Sequence, residues 1–457
     1  MSSHLDENDT GVIRTREKRL TRRGVLWLGQ TCNIRCHFCY FLDRINDREH
    51  PEHAFMDLEK AKEICHALRF RYGSTSVDIQ GGEPTIWKHV CDLVAYCVEI
   101  GLQPTLITNA IALAKEHKVQ ELKAAGVRDL LISVQGLGDV YDEIVDLPGG
   151  SEKQMQAIDH CVAAGVPFRF NCVLSKKAIP QYADIARLAV AKGARVVNFL
   201  AFNPFEDQVR GGKRSIENVP RYSDVGDALN EALDILEEAG IEANVRYLPA
   251  CMVAERHRKT IYNFQQLSFD PHEWDFDSWT WTGNQAQRMK WGGTSAHHRS
   301  LAEQTYSFWI VYSQGTEAGT ERSDAFVRAI PAMGGAIRST LRTLRHGLGQ
   351  LASRRHLARG DELGRSPEVY RDHAKMRAAQ KCGYKFAPAC ARCDARRICD
   401  GFHIDYAAMF GVDEAQPIAD GGRIDDPTHF IRDQEKIYEA EESDRFERQG
   451  PAARDAA

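Results

Sequence analysis

Three cysteines stand in the run Cys32-Asn33-Ile34-Arg35-Cys36-His37-Phe38-Cys39-Tyr40. Thiolates spaced CxxxCxxC can hold three corners of a four-iron four-sulfur (4Fe-4S) cube and leave the fourth iron without a protein ligand. An iron left open in this way can bind a further molecule. Zinc sites draw their ligands mostly from two separated pairs, and electron-transfer clusters normally take four cysteines in other spacings. Disulfides fit poorly, because the chain has 13 cysteines in 457 residues, an odd number scattered through apolar segments. A reducing compartment is implied, and the cytoplasm is the expected address.

A second string is Asp78-Ile79-Gln80-Gly81-Gly82-Glu83-Pro84-Thr85. Paired glycines let backbone come close to a ligand, the Glu83 carboxylate can accept from an ammonium group, and Pro84 suits the first turn of a helix. Alone, the string reads equally well as a turn. A third group is Cys382, Cys390, Cys393 and Cys399, the last three spaced CxxCxxxxxC and followed by Asp400-Gly401. Four thiolates of this kind suit either an iron-sulfur cluster or a closed tetrahedral zinc site.

These residues need elements to position them. From Gly24 to about Asn203, short β-branched runs alternate with amphipathic helical patterns, which argues for parallel βα units. The runs predict six strands: Val25 to Leu28, Val77 to Gln80, Thr105 to Thr108, Leu130 to Val134, Phe168 to Leu174 and Val196 to Phe202. Helices are predicted between them, among them Leu58 to Phe70 and Tyr182 to Ala191. Six such units curl into an open or partial barrel, whose chemistry belongs at the C-terminal ends of the strands. The cysteine triad follows the first strand directly. Cys65, Cys91, Cys97, Cys161 and Cys172 occupy apolar positions and read as core. A helix from about Val225 to Ala239 leads through Ile241 to Val245 to Cys251, where the alternation stops.

Composition sets the bounds. With 43% hydrophobic and 27% charged residues the chain is an ordinary globular one, and a net charge of −5 gives no global field toward nucleic acid or membrane. Arg22-Arg23 before a short apolar run superficially resembles an export signal, but the run is too short for one. No stretch approaches the roughly 18 apolar residues of a membrane span. Residues 252–370 hold an aromatic stretch, Tyr262 to Trp281, and an arginine-rich helical pattern from Ile337 to Gly360. Core packing and a solvated helix face explain them; a lid whose arginines meet an anionic substrate is the sharper reading.

Together, CxxxCxxC with Phe38 before its third cysteine and Gly81-Gly82-Glu83-Pro84 one strand later resemble the signature of the radical S-adenosylmethionine (radical SAM) superfamily. The resemblance implies an α/β fold, a partial (β/α)6 radical SAM barrel with a C-terminal iron-sulfur auxiliary region and a helical or irregular insertion. It implies that Cys32, Cys36 and Cys39 hold a catalytic 4Fe-4S cluster whose open iron takes S-adenosylmethionine (SAM), and that the GGEP motif holds the methionine amino group. Tyr40, Thr108, Asn109, Ser133, Gln135 and Asn171 fall where the family contacts SAM, though each also reads as a strand-end or turn residue.

The C-terminal cysteines resemble the auxiliary-cluster segment of the SPASM and twitch subfamilies, with His403 where a further cysteine is expected. One auxiliary 4Fe-4S cluster is implied, with Cys251, Cys390, Cys393 and Cys399 favoured as ligands over a set using Cys382; zinc is the alternative. The division expected is a basic arm (1–23), the barrel (24–245), a linker and insertion (246–370), the auxiliary segment (371–420) and a charged tail (421–457).

By the same resemblance, the function expected is reductive cleavage of SAM to a 5′-deoxyadenosyl radical that abstracts hydrogen from a peptide or small-molecule substrate. The electron would come from a donor such as flavodoxin or ferredoxin. Only about 23 polar residues precede the first strand, so neither a peptide-binding winged domain nor a cobalamin domain is expected there. The alternative is an iron-sulfur redox sensor or a non-catalytic binding protein on the same fold.

Overall fold

β-Branched and aromatic runs too short for helices become strands, and the amphipathic segments between them pack back as helices. The computed structural model describes residues 4–5, 12–16, 23–39, 41–49, 53–70, 74–202, 215–263, 265–266, 277–279 and 384–439. Its strands are β1 (His4–Leu5), β2 (Val12–Thr15), β3 (Arg23–Trp27), β4 (Ser76–Gln80), β5 (Gln103–Thr108), β6 (Asp129–Ser133), β7 (Phe168–Leu174), β8 (Val196–Ala201), β9 (Glu242–Arg246), β10 (Asp277–Trp279) and β11 (Lys436–Glu439). Strands β3 to β9 pair in sequence order, all parallel, into a curled half-barrel, and β10 adds in parallel at the β3 edge. Its helices include α1 (Leu42–Asn46), α2 (Leu58–Phe70), α3 (Val90–Glu99), α4 (Glu116–Ala125), α5 (Asp139–Val145), α6 (Gly150–Ala164) and α7 (Tyr182–Lys192).

The six expected strands are all present, with ends shifted by at most two residues. The six βα units of the expected partial barrel are followed by one further strand. β9 is a seventh strand, missed because Glu242-Ala243-Asn244-Val245-Arg246 lacks an apolar run, yet all five residues are buried. Polar side chains are tolerated there because they find partners inside the barrel. The predicted helix near Val225 runs from Tyr222 to Glu238 and packs beside α7. Most of residues 252–370, including the arginine-rich pattern, lies outside the described residues. Among the described residues, no helix is long and apolar enough to cross a membrane.

The pleat divides the sheet's two faces. Leu106, Leu130, Ile132, Phe170 and Phe199 are fully buried and join one apolar core with residues of the helices. On the other face, toward the N-terminal ends of the strands, charges meet in pairs. Arg23 lies 3.1 Å from Asp78, and Arg169 lies 2.6 Å from Asp129, all four side chains being buried.

A third buried pair comes from an unexpected place. The sequence division has the basic arm and the charged tail as separate segments, and β2 pairs with β1 and with β11 in a small antiparallel sheet. Lys436 of β11 is fully buried, with Nζ 2.6 Å from Glu242 Oε1, 2.6 Å from Asn244 Oδ1 and 3.9 Å from the centre of the Tyr262 ring. The amide of Ile437 donates to Glu242 Oε2 at 3.0 Å. The C-terminal strand therefore neutralises the carboxylate that opens β9.

Removing one member of a buried pair leaves an uncompensated charge, which costs about 3–5 kcal/mol, whereas replacing both with apolar groups is often nearly neutral. Lys436→Met should accordingly lower the protein's denaturation midpoint far more than Lys436→Met/Glu242→Leu does. Chemical denaturation of the two variants checks the order; equal losses would show that the ion pair does not hold β11 in place.

Candidate functional site

The chain leaves β3 at Trp27 and crosses the C-terminal end of the sheet as the cysteine loop. The amide of Leu28 donates to the carbonyl of Gln80 at 2.8 Å, extending the β3–β4 pairing by one step. Met56 donates to Leu28 O at 2.7 Å, and Thr31 Oγ1 to His53 O at 2.7 Å. Farther along, the amides of Arg35 and His37 donate to the carbonyls of Val145 and Ile144 at 2.8 and 3.1 Å. The loop is thus fixed at both ends by hydrogen bonds that do not involve the thiols.

Gly81 and Gly82 lie against this loop. Their φ values are +101° and +44°, and a Cβ on Gly82 would stand 2.0 Å from the carbonyl oxygen of Thr31, one on Gly81 2.6 Å from that of Gly29. Close backbone approach was expected toward a ligand; here it serves the contact between the two loops. The Glu83 amide completes that contact, donating to Thr31 O at 2.9 Å.

Glu83 is buried, and protein donors surround its carboxylate. Oε1 accepts from the Thr85 amide at 2.9 Å, from Thr85 Oγ1, and from Thr108 Oγ1 at 2.6 Å, while Oε2 accepts from the Asn109 amide at 2.7 Å. Burial raises its pKa, and these hydrogen bonds oppose the rise. One carboxylate therefore caps the short helical turn Pro84–Ile86 and ties β4's loop to the end of β5.

Asn109 continues the chain of contacts to the cysteines. Its Nδ2 donates to Asn33 Oδ1 at 2.8 Å and lies 4.0 Å from Cys32 Sγ. Ser133 and Asn171 are half-buried partners in register on β6 and β7. Gln135 is committed to the strand beside it: Oε1 accepts from the Val173 amide at 2.8 Å and Nε2 donates to Asn171 O at 3.3 Å. Phe38 stands edge-on to His37 and Phe202, with ring centres 5.6 and 6.1 Å away. Tyr40 lies outside the described residues.

The three thiols are half-buried neighbours. Burial pushes the Cys32 pKa up to about 12, with Glu83 adding to the rise, and burial followed by Cys39 and Cys32 pushes Cys36 up as well. A metal bound here would have to displace these protons, since the thiolate is the ligand form. The amide of Phe41 lies 3.4 Å from Cys39 Sγ, placed to donate toward that sulfur.

The second group of cysteines gathers where β9 delivers Cys251. This residue lies in the turn Ala250–Met252, and Cys390 lies in the turn Pro388–Arg392, immediately before Cys393. Burial first, with Cys390 and Cys393 adding, pushes the Cys251 pKa up to about 11. Cys399 is likewise raised, chiefly by burial, with Cys251 among the contributing charges. Backbone amides approach here too, Gly401 N at 3.3 Å from Cys399 Sγ and Ile418 N at 3.4 Å from Cys393 Sγ. Cys382 lies outside the described residues.

His403, in the place of the expected cysteine, is fully buried, and its Nδ1 accepts from the Asp405 amide at 3.2 Å, capping the helix Ile404–Phe410. Among the described residues, no three His, Cys, Asp or Glu side chains close on a single-ion site. Of the cysteines read as core, Cys65, Cys97, Cys161 and Cys172 are buried, and Cys91 is half-buried.

Residues 28–189 match the family model described as the Radical SAM superfamily. The chain carries a radical SAM domain. Among curated proteins, it is 26% identical over 174 residues to an AdoMet-dependent heme synthase of Oleidesulfovibrio alaskensis, covering 38% of this chain and 43% of that protein. It is 34% identical over 146 residues to a GTP 3′,8-cyclase of Peptoclostridium acidaminophilum (31% and 43% covered), and 29% identical over 174 residues to a PqqA peptide cyclase of Rhodopseudomonas palustris (37% and 44% covered). The chain thus spans less than half the length of these relatives. A solved structure of Streptococcus suis SuiB bound to S-adenosylmethionine is 19% identical, with a TM-score of 0.41 and 50% of each chain covered.

The radical SAM domain depends sterically on its glycine pair. Gly82→Ala places a methyl group onto the Thr31 carbonyl at a positive φ, so the two loops must separate. Iron bound per chain after anaerobic reconstitution should fall, by up to half, with the helical circular dichroism retained. Full iron retention would show that the loop contact is dispensable.

Proposed function

We propose that this protein is a radical SAM enzyme that abstracts hydrogen from a carbon of a peptide or small-molecule substrate. The observation that carries the reading is the lock between the cysteine loop and the Gly81–Glu83 loop at the C-terminal end of the half-barrel. The donor set fits the groups required: three neighbouring thiols in CxxxCxxC spacing suit a 4Fe-4S cluster with one open iron, and half-buried Ser133 and Asn171 offer polar groups for SAM. When bound, the cluster and SAM supply a 5′-deoxyadenosyl radical through one-electron reductive cleavage.

The chain's own residues bind and orient. Cys32, Cys36 and Cys39 hold the cluster, while Glu83 keeps Gly81, Gly82, Thr85, Thr108 and Asn109 in place around SAM. Asn109 restrains Asn33 beside Cys32, and so couples the SAM side of the site to the cluster side. Buried ion pairs at the opposite end of the strands leave the C-terminal mouth as the place where substrate meets the radical. A low-potential flavodoxin- or ferredoxin-type carrier supplies the electron.

The auxiliary site is proposed to hold a second 4Fe-4S cluster on Cys251, Cys390, Cys393 and Cys399, supported by the effect of Cys390 and Cys393 on Cys251 and of Cys251 on Cys399. A cluster there can take an electron from a substrate radical or bind the substrate directly. The relatives named above include enzymes of peptide and of small-molecule substrates, and the substrate proposed here spans the same two classes.

Anaerobic incubation of reconstituted protein with SAM and dithionite should release 5′-deoxyadenosine, and the Cys32→Ala/Cys36→Ala/Cys39→Ala variant should release none. An iron-loaded protein that forms no 5′-deoxyadenosine overturns the enzyme reading. Iron content tests the second cluster: about eight irons per chain should fall to about four in the triple variant. A value of about four falling to none, with one zinc retained, removes the auxiliary cluster.

A further inference from the structure

One buried side chain outside the motifs touches both walls of the site. Gln154 lies on α6 among Ala157, Ile158 and Cys161, a polar residue at a core position, and it is fully buried. Its Nε2 stands 2.9 Å from the carbonyl oxygen of Asn109, 3.0 Å from that of Ser133 and 3.0 Å from the Tyr141 hydroxyl. Carbonyls can only accept, so the two amide hydrogens go to Asn109 and Ser133, and the Tyr141 oxygen shares one of them. The Gln154 Oε1 is buried and has no hydrogen-bond partner among the described residues. A side chain retained for packing alone would not leave a buried acceptor unmet, so its donors are what the position uses.

The other end of this contact reaches the cysteines. Tyr141 belongs to α5, and the last carbonyls of α5, those of Ile144 and Val145, receive the amides of His37 and Arg35. Helices α5 and α6 are joined in turn: Gly138 N donates to Ser151 Oγ at 2.9 Å, and Ser151 N to Asp142 Oδ1 at 2.7 Å. The α5–α6 hairpin therefore holds the cysteine loop with backbone carbonyls and the ends of β5 and β6 with a single amide.

We propose that Gln154 is a positioning residue for SAM, which sets the separation between the cysteine loop and the strand ends at Asn109 and Ser133. The inference rests on the radical SAM reading above. Gln154 touches no cofactor itself and acts through the backbone of those two residues. Its loss should change how SAM is held before it changes whether iron is held, because no cysteine depends on its amide for a hydrogen bond.

The test is equilibrium dialysis of SAM against anaerobically reconstituted protein without reductant, at matched iron content, for wild type, Gln154→Met, Tyr141→Phe and Ile158→Ala. Gln154→Met should weaken SAM binding about tenfold, the equivalent of one lost hydrogen bond, at unchanged iron per chain. Tyr141→Phe should weaken it about two- to threefold. Ile158→Ala, a core truncation on the same helix, should lower thermal stability and leave SAM affinity at the wild-type value.

Wild-type affinity in Gln154→Met overturns the proposal, as does an equal loss in Ile158→Ala, which would make the effect general destabilisation. If Gln154→Met does not fold, Tyr141→Phe decides alone, and unchanged affinity there overturns it. Failure of the wild type to bind SAM would instead count against the radical SAM reading.

Discussion

The site depends on a contact between two stretches of backbone. Gly81 and Gly82 bring the end of β4 so near the cysteine loop that no side chain fits between them, and the Glu83 amide closes the gap on Thr31 O at 2.9 Å. Everything else builds on that seam. The Glu83 carboxylate fastens it to the end of β5, Asn109 fastens β5 back to Asn33, and the α5–α6 hairpin supports both sides from behind. Such satisfaction of buried polar groups gives a rigid arrangement, because breaking any member leaves a donor or acceptor without water.

The same economy applies at the opposite end of the barrel. Asp78, Asp129 and Glu242 each sit inside the strands with a basic partner, and for Glu242 the partner arrives from the chain's C-terminal strand. That strand anchors the start of β9, whose other end leads within a few residues to Cys251. The proposed auxiliary cluster thus inherits its position from a buried ion pair at the far end of the same strand.

Much of this was legible in the sequence. Six strands and the helices Leu58–Phe70 and Tyr182–Lys192 follow from apolar periodicity, because burial against one sheet face imposes it. The cysteine spacings and the glycine pair were legible because both are local. β9, β11 and Lys436 were not, since β11 finds its strand partner at the other end of the chain and Lys436 lies 194 positions from Glu242, the residue of β9 that it neutralises. Glu83 was read as facing a ligand, yet its acceptors are filled by Thr85, Thr108 and Asn109, partners that only the folded chain brings together. Gln154 left one local trace, an amide among apolar positions of α6.

The central claim is that the cysteine loop and the loop locked against it form one site, in which an open iron meets SAM. Electron paramagnetic resonance of the reduced protein tests this most directly. Cys251→Ala/Cys390→Ala/Cys393→Ala/Cys399→Ala protein, which lacks the ligands of the proposed auxiliary cluster, should show a 4Fe-4S signal whose g values shift as SAM is added. A 4Fe-4S signal of full intensity that saturating SAM leaves unmoved would contradict the account.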